Sequence, residues 1–264
     1  MRCTVAAVDP RARFAELLRE PTVPLARAAL CIAQCARPDA DVDGALAELD
    51  RLAAGVTAGD LAGLVDALFV DAGFCGDREH YDDPRNSMLD SVLLRRRGIP
   101  ITLAVVMIEV GARCGVDLLP IGMPGHFIVR AANDPAVFCD PFRGELLDEA
   151  GCARIFAAMF GSQRALRAAE LRPVPATAVL ARMLNNLEAG PLGRDLGALG
   201  WMVDLHRAIP GLGAGDRVAL ATRLELLGRF ADAAEEIEFA VADVDDAVGA
   251  RLGARARLYR SRRN

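Results

Sequence analysis

The feature that most constrains the fold is an apolar segment in the middle of the chain. Residues 101–113 are nearly all apolar, with Thr102 and Glu109 as the main exceptions. A helix that is apolar on every side has to be covered on every side by a core. Pro100 precedes it, and proline suits the first helical turn because its missing N–H is not needed there. The sequence therefore predicts a buried central helix that starts at or just after Pro100. Glu109 needs a partner inside a core, and we expect an arginine of the 95–97 run.

Two short β-type runs follow the apolar helix. Residues 126–130 and 136–140 are separated by Asn133-Asp134-Pro135, which is a strong turn signal. They predict an antiparallel hairpin in which His126 opens the first strand and Asp140 closes the second, so that these two ends lie side by side. With helical patterns before and after, the sequence predicts an α+β fold in which a buried helix packs against a small antiparallel sheet.

Helical periodicity dominates both flanks of this core. Pro173-Val174-Pro175 is the best linker candidate, and the chain after it has helical patterns throughout. We expect a first part at 1–172, with its core at about 73–160, then a helical region at 176–250 and a basic flexible tail at 251–264.

Composition narrows the classes of function. A net charge of −5 over 264 residues gives no general attraction to nucleic acid or to anionic membranes. No uncharged apolar run reaches the roughly 18 residues of a membrane span, and residues 1–9 lack the basic and apolar regions of a signal peptide. The seven cysteines include no CxxC pair and no zinc-like spacing with histidine. We expect free thiols, no metal, no cofactor and a cytoplasmic location.

A histidine and an aspartate that meet across a hairpin have a recognisable chemistry. They form the base and the orienting carboxylate of a nucleophilic triad, in which the carboxylate fixes the tautomer and stabilises the imidazolium. The third member is expected at the N-terminus of the packed helix, because the helix dipole lowers the pKa of a thiol there. His126 and Asp140 are therefore the candidate catalytic pair.

Three motifs, in order, carry a resemblance to a known family. They are Arg96-Arg97-Gly98-Ile99-Pro100-Ile101-Thr102-Leu103-Ala104, Pro124-Gly125-His126-Phe127 and Asp140-Pro141-Phe142. In these motifs the chain resembles the bacterial SirB-like proteins, the invasion-regulator B group of the transglutaminase-like superfamily. Tyr81 and Asn86-Ser87-Met88-Leu89 resemble the upstream segment of that family. The resemblance implies a transglutaminase-like (papain-like) core, flanked by N-terminal helices and by a C-terminal tetratricopeptide-like region.

The resemblance also contains a departure from the superfamily pattern. In transglutaminases the helix start carries the nucleophile in a setting like Gly-x-Cys-x-x-x-Ala. Gly98 and Ala104 match the ends of that setting, and Pro100 falls on the cysteine position. We interpret His126 and Asp140 as a remnant pair. The residues expected to line the cleft beside them are Pro100, Thr102, Asn86, Tyr81 and Gly125. Asn86 is alternatively the N-cap of the helix that follows it, as is Ser87.

Two functions remain open at this point. The first is a non-catalytic, regulatory protein that binds a protein or peptide through its cleft and its C-terminal helices. The second is a hydrolase or acyl-transferase that uses the His126–Asp140 pair with an unidentified nucleophile or an activated water. Cys75 is the thiol whose loop leaves it free to reach the cleft. A weaker third interpretation is a structural scaffold in which the pair is buried and inaccessible.

Overall fold

The computed structural model describes residues 9–161 and 163–262, so Cys3 and the last two residues of the expected tail lie outside the described residues. The chain divides into two compact units, one ending at Pro191 and the other beginning at Leu192. This division lies beyond the expected linker because residues 173–174 are part of the first unit. Val174 N donates to Pro120 O at 3.0 Å, and Pro173 bridges Ile121.

Four helices open the first unit, as the periodicity predicts. They are α1 (Pro10–Leu17), α2 (Leu25–Ala36), α3 (Val42–Ala54) and α4 (Leu61–Val65), and α4 continues into a π-helical stretch, Asp66–Asp71. Asp41 begins α3 by accepting the Gly44 N–H, and Asp60 does the same for Gly63 in α4. Aspartate at these positions satisfies N–H groups that have no partner within the helix.

The buried helix of the sequence prediction is α6 (Pro100–Cys114), and ten of its fifteen residues are buried. Before it come the two-residue strand β1 (Cys75–Gly76), the helix α5 (Leu89–Arg95) and the strand β2 (Arg97–Gly98), which pairs with β1 in parallel. Helices α2, α3 and α5 all contact α6. The prediction of a helix enclosed by the core is confirmed.

The prediction that Glu109 pairs with an arginine of residues 95–97 is wrong. Its carboxylate accepts the Ala26 N–H at 2.7 Å and pairs with Arg113 at 2.6 Å. Residues 95–97 precede the start of α6, whereas Glu109 lies nine residues into it, about 13 Å along the axis at ~1.5 Å per residue. Glu109 instead satisfies the first turn of α2.

A four-stranded antiparallel sheet follows α6 and contacts it through its first two strands. Its strands, in spatial and chain order, are β3 (Leu118–Ile121), β4 (Ile128–Ala131), β5 (Phe138–Asp140) and β6 (Glu145–Leu147). The predicted hairpin is β4 and β5, with Val129 opposite Cys139. His126 lies in the turn just before β4 instead of opening the strand. The sequence also missed β6, because its three residues run directly into the helix that follows.

Helix α7 (Glu149–Phe160) and helix α8 (Ala176–Ala189) complete the first unit. Asp148 caps α7 by accepting the Gly151 N–H at 2.7 Å. Helix α8 contacts both α2 and α6. It therefore belongs to the unit that carries the site and not to the C-terminal helical region where the sequence interpretation placed it.

Four consecutive helices form the second unit, and each packs against the next in the chain. They are α9 (Leu196–Ala208), α10 (Ala214–Leu226), α11 (Phe230–Val241) and α12 (Asp246–Ser261). The expected flexible tail is instead the second half of α12, and Tyr259 within it is only 1% exposed. Among the described residues, no helix combines the length and the apolar character that crossing a membrane requires.

Candidate functional site

The turn before β4 presents His126. Gly125 has a φ of +74°, a left-handed conformation that glycine adopts at little cost. A Cβ atom at this position would lie 2.9 Å from Met159 Sδ and 3.3 Å from the Phe160 ring, so glycine also lets the turn lie against the end of α7. The His126 N–H donates to Met123 O at 3.0 Å. These contacts fix the backbone from which the imidazole projects.

The imidazole and the carboxylate meet as the hairpin predicts. His126 Nε2 is 3.0 Å from Asp140 Oδ1, and the two side chains are 13% and 1% exposed. Oδ1 also accepts the Phe142 N–H at 2.9 Å, and Arg143 Nε lies 3.6 Å from Oδ2. Nε2 is not hydrogen-bonded among the described residues, so the 3.0 Å contact is electrostatic and not a linear hydrogen bond.

The start of α6 is tied to the segment that follows Asp140. Pro100 is the first residue of the helix and is buried, and no side chain caps this end. The Asp77 N–H donates to Gly98 O at 3.0 Å, and the Gly76 N–H donates to Phe142 O at 3.1 Å. The segment around β1 therefore bridges the helix start and the Asp140 turn.

In the described part of the chain, His126 makes no hydrogen bond to a sulfur or a hydroxyl. Burial raises the pKa of Cys31 and of Cys152 to about 11, and it raises the pKa of Cys139 further still. Thiols of this kind are unreactive near neutral pH. Cys75 is exposed on β1. The described residues contain no cluster of acidic, histidine and cysteine side chains arranged to hold a metal ion.

Of the residues expected to line the cleft, three are buried, namely Pro100, Thr102 and Asn86. Thr102 and Asn86 are both fully buried, and the Thr102 hydroxyl has no hydrogen-bond partner among the described residues. Asn86 is not an N-cap either, because it lies inside a short 3₁₀ turn, Pro84–Ser87, and α5 begins after Met88. Tyr81 does reach the surface, with 48% of it exposed. Its ring packs against Phe142 in a T-shaped arrangement, with 5.9 Å between the ring centroids.

Asn86 is part of a buried polar network that the sequence interpretation missed. Its amide donates to His80 O at 2.7 Å and accepts from Arg95 at 3.0 Å. Arg95 also pairs with Asp77 at 3.1 Å, and Asp77 accepts the His80 N–H at 3.1 Å, which closes the ring. Burial pushes the pKa of Asp77 upward, but the bonds from His80, Asn86 and Arg95 outweigh it, so the pKa lies below its ordinary value. The network holds the 77–86 loop beside the start of α6.

Arg182 on α8 is a second residue that sequence reasoning missed. Its guanidinium donates to Met123 O at 3.1 Å and lies over the Phe127 ring, 5.7 Å from the centroid. Among the described residues, no carboxylate lies within ion-pair distance of it. No sequence motif pointed to Arg182. Helix α8 follows the expected linker Pro173-Val174-Pro175 and was therefore assigned to the C-terminal helical region.

Comparisons with known proteins identify a family for this part of the chain. A family profile described as the transglutaminase-like superfamily matches residues 40–185. The chain belongs to the transglutaminase-like superfamily. The matched part runs from the start of α3 into α8, and it includes the His126–Asp140 pair, the buried network and Arg182. The helices of the second unit lie outside it, so their tetratricopeptide-like character stays a prediction.

Relatives of this transglutaminase-like protein carry the family name UPF0162. The chain is 35% identical over 187 residues to a UPF0162 protein of Xylella fastidiosa, a match that covers 64% of this chain and 66% of the relative, just under two thirds. It is 31% identical over 227 residues to a UPF0162 protein of Pseudomonas aeruginosa, covering 81% and 82%. An 81-residue stretch is 32% identical to Homo sapiens F-box only protein 21, covering 31% of this chain and 12% of that protein. No solved structure matches the chain significantly.

Proposed function

We propose that this transglutaminase-like protein has no catalytic nucleophile and binds a peptide or protein segment in the cleft beside His126. The observation that carries the proposal is the pairing of an intact His126–Asp140 contact with a proline as the first residue of α6. Proline has no group that can attack a carbonyl, and an imidazole without a nucleophile cannot start acyl transfer. What remains is a pair of polar side chains, His126 and Asp140, in fixed positions.

Exposed apolar side chains around the cleft support binding. Met159 and Phe160 are both exposed at the end of α7, directly against Gly125. Tyr81 is exposed on the loop held by the buried network. Exposed apolar groups beside a polar site are typical of ligand-binding surfaces.

The second unit supplies a further surface for a partner. Four of its large apolar side chains are more than half exposed, which are Leu196, Leu226, Phe239 and Leu258. We propose that these helices contact the same or another protein partner, in keeping with the regulatory role that the SirB-like resemblance implies.

A second candidate is a hydrolase or acyl-transferase in which His126 activates a water. The observation that favours it is the His126 imidazole, which is paired with Asp140 and still 13% exposed. A panel of amide and ester substrates separates the two candidates. We expect no hydrolysis by wild type above the rate of His126→Ala, and no labelling of any cysteine by thiol-directed active-site probes.

The matched control is His80→Ala, since the His80 side chain is 72% exposed. Hydrolysis that is lost in His126→Ala and Asp140→Asn but kept in His80→Ala would establish an enzyme and overturn the binding proposal. Binding is tested with peptides selected on the full chain from a random displayed library. We expect Phe160→Ser to weaken them at least tenfold and Leu94→Ser, at an exposed apolar residue on α5, to leave them unchanged.

A further inference from the structure

The guanidinium of Arg182 is a cation that the described structure does not neutralise, and it lies on the backbone that presents His126. We propose that Arg182 is the carboxylate-binding subsite of the cleft, so that the preferred ligand is a peptide carrying a carboxylate beside His126. This inference rests on the proposed peptide-binding function and names the chemical class of the ligand.

The first step is position. Met123 O accepts two hydrogen bonds, from the His126 N–H at 3.0 Å and from Arg182 Nη1 at 3.1 Å. The same guanidinium lies 5.7 Å from the centroid of the Phe127 ring. Arg182 thus contacts the residue that follows His126 and shares an acceptor with His126 itself. A ligand group bound at Arg182 would therefore lie close to the turn that carries His126.

The second step is charge. An arginine has five N–H donors, and Met123 O takes only one from Arg182. A partly buried cation is costly to desolvate unless an anion or hydrogen-bond acceptors compensate it. The titratable group that acts on Arg182 is the Tyr81 hydroxyl, which is neutral at physiological pH. Burial lowers the pKa of Arg182, with Tyr81 opposing the change, and an arginine stays protonated despite such a shift.

The third step is to compare Arg182 with three arginines on neighbouring segments, namely Arg143, Arg164 and Arg78. Arg143 already lies 3.6 Å from Asp140, and Arg164 pairs with Glu170 at 2.7 Å. Arg78 is exposed, with its guanidinium 6.0 Å from the Phe142 ring centroid. Arg182 alone among these four combines partial burial with the absence of an acidic partner in the described residues. A planar guanidinium with free donors matches a carboxylate, which it can hold with two parallel bonds.

The neighbouring surface suggests the rest of the ligand. Met159 and Phe160 form an exposed apolar shelf against Gly125, on the chain segment between Met123 and Phe127. A peptide that places an aromatic side chain on this shelf and a carboxylate at Arg182 would span His126. The carboxylate is either the C-terminus of the peptide or an acidic side chain, and the tests below distinguish these sources.

The first test observes Arg182 directly. Nε–Hε signals of the ¹⁵N-labelled full chain are recorded during titration with N-acetylglycine and, separately, with N-acetylglycinamide. The Arg182 signal is identified by its loss in Arg182→Gln. We expect this signal to shift with the acid and not with the amide, and the Arg154 signal to remain fixed with both, since Arg154 is exposed and its side chain makes no hydrogen bond or ion pair among the described residues. An Arg182 signal that does not respond to the acid overturns the inference.

The second test measures affinity by fluorescence anisotropy. The probes are fluorescein-labelled Leu-Phe-Gly with a free C-terminus, the same peptide as its amide, and Leu-Phe-Glu amide. For wild type we expect the free acid to bind about tenfold more tightly than its amide, because charge-assisted hydrogen bonds are strong in partly buried sites. Arg182→Gln should reduce this ratio to about twofold or less. Arg182→Lys should give an intermediate ratio, because lysine keeps the charge but lacks the paired N–H donors of the guanidinium. Arg154→Gln should leave the ratio unchanged.

The outcomes separate this inference from the proposed function. If acid and amide bind equally to wild type, the carboxylate subsite is refuted and peptide binding stands. If N-acetylglycine shifts the Arg182 signal but no tripeptide binds, the subsite is supported and the proposed peptide function is contradicted. If Leu-Phe-Glu amide binds as tightly as Leu-Phe-Gly with a free C-terminus, the subsite recognises acidic side chains. If only the peptide with the free C-terminus binds, the subsite recognises a C-terminus.

Discussion

His126 Nε2 lies 3.0 Å from Asp140 Oδ1, and this contact leaves the other ring nitrogen of the imidazole available to other groups. The other ring nitrogen, Nδ1, makes no hydrogen bond among the described residues. In a nucleophilic triad the nitrogen remote from the carboxylate is the one that faces the nucleophile. The pair therefore has the arrangement of a base held by its orienting carboxylate, and under the proposed function the helix start, where Pro100 lies, supplies no nucleophile.

The proposed loss of a cysteine at Pro100 predicts that this position can accept a cysteine again. We expect the thiol of Pro100→Cys to have a pKa below about 7.5, because the N-terminus of α6 stabilises a thiolate and the proposed site brings His126 close to it. The measurement is the rate of iodoacetamide alkylation of this residue, followed peptide by peptide by mass spectrometry from pH 5 to 10. Cys75, which is exposed, serves as the reference thiol in the same sample.

The matched control for this substitution is Ala176→Cys. Ala176 is the first residue of α8, so its cysteine has a helix N-terminus but no His–Asp pair. We expect its alkylation midpoint to lie above that of Pro100→Cys, and we expect His126→Ala to raise the midpoint of Pro100→Cys toward it. Equal midpoints at the two positions, or a Pro100→Cys thiol that never reacts in the folded protein, would contradict the interpretation.

The Asp77 network makes a prediction about stability and pH. Asp77→Asn should destabilise the protein by about 2–3 kcal/mol, because it leaves Arg95 without its carboxylate in a buried setting. The pKa of Asp77 is lowered in the folded state, so the unfolded chain takes up this proton more readily. The stability that the carboxylate contributes is present above about pH 4, its ordinary value, and is lost as the pH falls below that. Thermal melts between pH 6 and pH 2 measure this loss.

In Asp77→Asn the melting temperature should fall less steeply below pH 4 than in wild type. Asp71→Asn is the control, since Asp71 is exposed and makes no side-chain bond among the described residues. Asp71→Asn should change neither the stability nor the steepness with which the melting temperature falls below pH 4. A slope in Asp77→Asn as steep as in wild type would show that other carboxylates govern the acid transition.

The parts of this fold that could be predicted are those with local signals. The apolar run predicts α6, and the Asn133-Asp134-Pro135 turn predicts the hairpin, because strands joined by a short turn pair with each other. The contact between His126 and Asp140 follows from those two elements alone. Each inference needed only neighbouring residues, and none needed to know how distant segments meet.

The parts that could not be predicted depend on pairing between distant segments. Strands β1 and β2 have two residues each, which is too short for any periodicity. Arg182 and Met123 are 59 positions apart, and nothing in the α8 pattern indicates that one face of it contacts the His126 turn. Helix α8 was misplaced because Pro173-Val174-Pro175 is typical of a linker, whereas here it continues along the edge of β3.

The C-terminal segment was expected to be frayed, and Tyr259 provides the test. The Tyr259 side chain is buried in the second unit, and its hydroxyl donates to Glu225 at 2.5 Å. Tyr259→Phe should cost about 1 kcal/mol for the lost hydrogen bond, and Tyr259→Ala about 3–4 kcal/mol for the cavity. Urea unfolding followed by the fluorescence of Trp201, the single tryptophan of the chain, reports on this unit. Leu258→Ala, at an exposed neighbour, should change stability by less than about 0.5 kcal/mol.

Gly125 determines how the His126 turn lies against α7, and Gly115, which ends α6 in the left-handed conformation, offers a control. Both have positive φ, +74° and +81°, but a Cβ at Gly115 meets nothing within 4 Å, whereas at Gly125 it meets Met159 Sδ at 2.9 Å. Gly115→Ala should therefore cost only the conformational term, about 1 kcal/mol. Gly125→Ala should cost more and should also weaken Leu-Phe-Gly binding, because relieving the contact displaces the imidazole. Adding Met159→Ala should recover part of the stability of Gly125→Ala and none of that of Gly115→Ala. Equal costs for the two alanines would mean that the close approach to Met159 does not constrain the turn.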